Sequence, residues 1–133
     1  MKTIIAGSRD ITDYSLVKYS VKQSGFNITE VVSGRCSSGE ITFVTKEGIK
    51  VCGVDGLGEK WAEENNIPVK PFPADWKALG RSAGPVRNGE MAEYGESLIL
   101  IWNGATRGSA DMKNKWKDKQ NNSFFFEFIV IRN

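Results

Sequence analysis

Two short loops carry the residue types that a phosphorylated ligand would require. Gly7-Ser8-Arg9-Asp10 closes one apolar run, and Asn103-Gly104-Ala105-Thr106-Arg107-Gly108-Ser109 closes another. Both are rich in small residues, so ligand atoms can approach the backbone. The second loop runs directly into a helical pattern, where free N–H groups and the positive end of the helix dipole favour an anion. Arg107 adds a guanidinium, which suits a phosphate. Neither loop is a Walker motif or a complete Gly-x-Gly-x-x-Gly fingerprint, and glycine-rich strand-to-helix turns often do nothing but turn. Two further clusters point the same way. Ser33-Gly34 ends an apolar stretch, with Gly53-Val54-Asp55-Gly56 opening the helix that follows it. Gly84-Pro85-Val86-Arg87-Asn88 places Arg87 and Asn88 in a first helical turn. There they either hydrogen-bond a phosphate or ribose or lie solvated on a surface helix. Trp76, just upstream, either stacks on a base or sits in the core or at a rim.

The chain has no histidine among its 133 residues. That excludes Ser-His-Asp and Cys-His triads and the usual zinc sites. A general acid or base has to be Asp, Glu, Lys, Tyr or Cys. The two cysteines, Cys36 and Cys52, are expected as small buried residues rather than a disulfide, although a local hairpin could bring them face to face. A net charge of +2 gives no global electrostatic case for nucleic acid. With 40% hydrophobic residues the chain can build a core. No apolar run approaches the ~20 residues of a membrane span, and no signal peptide is evident, so a cytoplasmic protein without membrane association is expected.

The elements that must position these loops alternate regularly. Apolar runs at 3–6, 28–32, 67–72, 97–102 and 124–131 read as strands. Helical spacing appears from Tyr14 to Gly25 behind the cap Asp13, from Val54 to Asn65, from Pro85 to Tyr94, and from Ser109 to about Lys119. The alternation predicts a single Rossmann-like three-layer α/β domain over residues 1–133. Its parallel sheet should have the order 3-2-1-4-5, with the switch point between the first and fourth strands. Pro68 and Pro71 predict an edge position for the third strand. Residues 39–52 break the rhythm and read as an inserted β-hairpin around a Lys46-Glu47-Gly48 turn. This insertion is either inert or a lid or dimer contact. Ligands of open α/β sheets bind beyond the carboxyl ends of the strands at the switch point, which is where both glycine-rich loops should meet. The lysine-rich stretch from Lys113 to Lys119 reads as a solvated helix face.

In this order the motifs resemble the SLOG superfamily, in particular its small YspA/YpsA-related group, whose relatives include the LOG phosphoribohydrolases and the DprA fold. The residues carrying the likeness are Gly7-Ser8-Arg9-Asp10, Val32-Ser33-Gly34, Gly53-Val54-Asp55 with Trp61-Ala62, and Phe72-Pro73-Ala74-Asp75-Trp76. Gly84 to Asn88 with Met91, and Trp102 through Met112, complete the set. The resemblance implies a pocket for a nucleotide or a nucleotide-derived, ADP-ribose-like molecule. It also implies a homo-oligomer, and small members are frequent in phage genomes, where sequestering or destroying a defence signal would make sense. In the hydrolase relatives an Arg and a Glu act on an N-glycosidic bond. Arg87 is the counterpart of that Arg, and Asp111 lies one position early and is one methylene shorter than the Glu.

Three functions are therefore carried forward. The first is binding, sensing or sequestration, with Gly7, Ser8, Arg9, Asp10, Ser33, Gly34, Asp55, Arg87, Asn88, Gly104, Thr106, Arg107, Gly108 and Ser109 as ligand contacts. The second is N-glycosidic hydrolysis, with Arg87 and either Asp111 or Asp55 as the catalytic pair. The third, disfavoured by charge, is a nucleic-acid-binding module. No cofactor is expected, apart from Mg²⁺ accompanying a phosphate if Asp10, Asp55 and Asp111 converge.

Overall fold

The computed structural model describes residues 1–119 and 122–131. Its first strand, β1 (Lys2–Gly7), is buried from Thr3 to Ala6, as its uninterrupted apolar run requires in a sheet covered on both faces. Helix α1 (Tyr14–Ser24) starts where the Asp13 side chain accepts the Ser15 N–H, and stops at Gly25 in the left-handed conformation. β2 (Glu30–Ser33) follows, then the hairpin β3 (Ile41–Val44) and β4 (Lys50–Cys52), then α2 (Gly53–Glu64) and β5 (Val69–Pro71). A short helix α3 (Trp76–Leu79) and a 3-10 turn (Gly80–Ser82) precede α4 (Ala83–Tyr94). β6 (Ser97–Trp102), α5 (Arg107–Asp118) and β7 (Phe125–Ile129) complete the chain.

The five long-range strands form one parallel sheet in the order β5-β2-β1-β6-β7. This is the expected 3-2-1-4-5 Rossmann-like arrangement, with the proline-flanked strand at one edge. The hairpin is a separate antiparallel pair. Side chains alternate across the central strands, as a period of two dictates. Leu98, Leu100 and Trp102 join Ile4, Met91, Met112 and Trp116 under α4 and α5. Ile99 and Ile101 join Ile5, Val17, Val54 and Leu57 under α1 and α2. Each fully buried Ile or Leu contributes about 1.5–3 kcal/mol, so the two layers fix the sheet and the ends of its strands. Among the described residues no helix is long and apolar enough to cross a membrane.

Two helices start earlier than their sequence signals suggested. α4 begins at Ala83 rather than Pro85, so Arg87 and Asn88 lie in its second turn and not its first. α5 begins at Arg107 rather than Ser109, so Arg107 and Gly108 belong to its first turn. The hairpin folds back on the chain that flanks it. Thr42 Oγ1 donates to the Gly53 carbonyl at 2.7 Å, and the Glu40 N–H bonds the Arg9 carbonyl at 3.2 Å. It supports the first loop from outside.

Candidate functional site

β1 and β6 are adjacent, but the chain leaves them toward opposite edges of the sheet, and the crevice this opens is a cleft of about 690 Å³. Two glycines allow the backbones around it to close up. A Cβ on Gly7 would stand 1.7 Å from the Ile101 carbonyl oxygen. Gly53 has φ +55°, and a Cβ there would stand 2.4 Å from Arg9 Cα. Any side chain at either position would push β1 from β6, or α2 from the first loop.

One wall is the start of α5. Ser8 is buried, and its hydroxyl accepts the Asn103 N–H at 3.2 Å and lies 3.4 Å from Thr106 Oγ1. Asn103 Oδ1 in turn accepts the N–H groups of Ala105 and Thr106. The loop is thus held by its own side chains. Thr106 is the N-cap but makes no side-chain cap bond, leaving the first-turn N–H groups of α5 without a helical partner. Arg107, Gly108 and Ser109 line the cleft there.

The opposite wall is built around α2 and the loop after β2. Glu59 is almost fully buried and takes three hydrogen bonds, from Ser33 Oγ at 2.7 Å and from Arg35 Nε and Nη2 at 3.2 and 2.8 Å. This ion pair holds Arg35 at φ +52° and shapes the turn from Gly34 to Ser38. Asp55, one helical turn earlier on the same face, accepts the Cys36 N–H at 3.0 Å. Burial pushes the Asp55 carboxyl up to about 6, against the opposing pull of Arg87 and the Cys36 N–H, and Glu59 adds to the rise. Arg87 donates through Nη1 to the Gly34 carbonyl and through Nε to Asn88 Oδ1 at 3.0 Å. Asn88 is buried and bridges to the Gly108 carbonyl and to Asp111 Oδ2. Asp111 is engaged on its other oxygen by Lys115 at 2.6 Å. A continuous chain of bonds therefore runs from Gly34 through Arg87 and Asn88 to α5.

Of the residues singled out in the sequence, the cleft gathers Gly7, Ser8, Arg9, Gly34, Asp55, Arg87, Asn88, Thr106, Arg107, Gly108, Ser109 and Asp111. Three stand apart. Asp10 is exposed and borders a separate shallow depression with Ile11 and Asn103. Ser33 is committed to Glu59 behind the wall. Gly104, at φ +81°, makes the turn outside the cleft lining. The convergence of Asp10, Asp55 and Asp111 on one metal is therefore not present. No group of three or more His, Cys, Asp or Glu suited to a metal ion occurs among the described residues.

Other lining residues gave no signal of their own in the sequence: Arg35, Cys36, Ser38 and Arg81. Glu59 behind them had one available signal, its i+4 spacing from Asp55. Cys36 and Cys52 are free thiols whose residues are joined by a backbone bond, Cys52 N–H to Cys36 carbonyl at 2.9 Å. Burial, with Asp55 nearby, pushes the Cys36 thiol up to about 11, away from reactivity. Trp76 stands half exposed at the cleft rim.

Charge is the most uneven property of the cleft. Arg9, Arg35, Arg81, Arg87 and Arg107 line it against two carboxylates, Asp55 and Asp111. Arg35 is paired with Glu59, and Asp111 with Lys115. The other four arginines have no carboxylate within salt-bridge distance among the described residues. No family model, curated protein or solved structure matches the chain.

Proposed function

We propose that this protein binds a phosphorylated, nucleotide-derived small molecule in the switch-point cleft. The observation that carries this reading is the gathering of four arginines without carboxylate partners around one cleft, in a chain whose net charge is only +2. Arg9, Arg81 and Arg107 are exposed, so their guanidinium groups are available to an anionic ligand in the cleft. The first turn of α5 adds N–H groups suited to phosphate oxygens. The exposed Trp76 offers a face for a base. Membership of the SLOG superfamily, a cytoplasmic setting and self-association belong to the same proposal. The first and last of these rest on the order of the sequence motifs.

Calorimetric titration with nucleoside mono- and diphosphates and with ADP-ribose tests the reading. We expect saturable binding that weakens at least about tenfold in Arg107→Ala, which loses one charge-assisted contact of about 1.5–3 kcal/mol. Arg87→Ala should weaken it too, because Arg87 ties the Gly34 turn to Asn88. Absence of binding across the whole panel would end the proposal.

A second reading, N-glycosidic hydrolysis of such a nucleotide, is favoured by Asp55, a cleft carboxylate with its pKa raised toward neutrality. In that reading Asp55 is the better base than Asp111, whose two oxygens are occupied by Asn88 and Lys115. Release of free base, read by mass spectrometry of the same mixtures, decides between binding alone and turnover.

A further inference from the structure

Within this arginine-rich cleft one negative side chain is left with an acceptor to spare. Asp55 is 8% exposed. Its Oδ2 accepts the Cys36 N–H, while its Oδ1 has no hydrogen-bond partner among the described residues. That oxygen is not sealed in protein either, since Ser20 Oγ is the only buried side-chain polar atom there without a partner. Asp55 itself lines the cleft. Asp111, the other cleft carboxylate, has both oxygens taken.

The chemistry of the surroundings limits what Asp55 can receive. A phosphate would meet a like charge. A cationic group would have to enter among Arg9, Arg81, Arg87 and Arg107. A metal lacks companion ligands among the described residues. A neutral donor remains, since the Asp55 Oδ1 has no partner among the described residues and a hydroxyl can supply one. Asp55 stands beside Gly34 and Arg87 on the β2 side of the crevice, whereas the phosphate-suited first turn of α5 stands on the β6 side. A ligand engaging both walls presents an anion to one and hydroxyls to the other.

We propose that Asp55 accepts hydrogen bonds from the sugar hydroxyls of the phosphorylated ligand and makes the cleft selective for ribonucleotides over deoxyribonucleotides. This rests on the nucleotide reading above and adds a specificity-determining residue to it. A site built to bond a hydroxyl rejects the analogue lacking it, because the protein group is then left buried and unpaired.

The test is calorimetric titration of the native chain with ADP, GDP, CDP and UDP and with their 2′-deoxy and 3′-deoxy counterparts. The best-binding ribonucleotide should bind about tenfold or more tightly than at least one of its deoxy forms. Asp55→Ala, which removes the acceptor altogether, should shrink that ratio to near unity. Equal affinity of the native chain for the parent and both deoxy forms overturns the proposal, and needs no variant to be seen. A ribo preference that persists undiminished in folded Asp55→Ala overturns it as well. If no nucleoside diphosphate binds at all, the nucleotide reading fails first and this proposal falls with it, a result distinct from binding without discrimination.

Discussion

Asp55 pulls stability and binding in opposite directions. Its carboxyl is raised to about 6 by burial, with Arg87 and the Cys36 N–H opposing and Glu59 reinforcing the rise. The folded chain therefore holds this proton to higher pH than the unfolded chain, where an Asp titrates near 3.9. The resulting stabilisation is fully present below that unfolded value and is lost as pH rises through about 6. Above that pH an ionised Asp55 costs the fold stability, because burial disfavours its charged form. Asp55→Asn, nearly the same shape and uncharged, should melt at a higher temperature than the native chain at pH 8, with the advantage gone near pH 4. Thermal unfolding at pH 8, 6 and 4 checks this, and a variant less stable at pH 8 would contradict it.

At the level of elements, the strongest local signals were the uninterrupted apolar strands and the caps. Asp13 and Gly25 bound α1 as expected, and β6 is buried along its whole length. The hairpin and the edge position of β5 also followed from local chemistry, turn glycine in one case and prolines in the other. What local pattern did not carry was long-range. Glu59 looks like a surface residue until Arg35 and Ser33 arrive from another part of the chain to satisfy it. The α3 segment and its 3-10 turn are too short to show a period, so the sequence hides the early start of α4 and with it the turn in which Arg87 lies. Asp10 adjoins site residues in sequence, but it is exposed and lines a separate depression. In α1 the structure also leaves a flaw. Ser20 is fully buried and its hydroxyl has no partner among the described residues. Ser20→Ala removes an unsatisfied group and improves helix propensity, so denaturant unfolding should show a gain of about 1 kcal/mol. A loss of stability would mean that the hydroxyl is satisfied in solution.

For the molecule as a whole, the fold sets positive charge against a near-neutral total. Parallel strands with helices on both faces leave a crevice where β1 and β6 part, and the loops after β1 and β2, the 3-10 turn, α4 and the first turn of α5 deliver arginines to it. The Glu59–Arg35 pair and the Arg87–Asn88–Asp111 chain tie the two walls to their helices. The cleft is thus built on rigid elements, and its field is local rather than global. The account stands on an anion settling at the α5 wall. Backbone amide chemical shifts followed by NMR through a titration with ADP and with ADP-ribose test this most directly. The account predicts saturable shifts at Ser8, Gly108 and Ser109, with Cys36 and Asp55 following on the opposite wall. Shifts confined to residues outside the cleft, or none with either nucleotide, would contradict it.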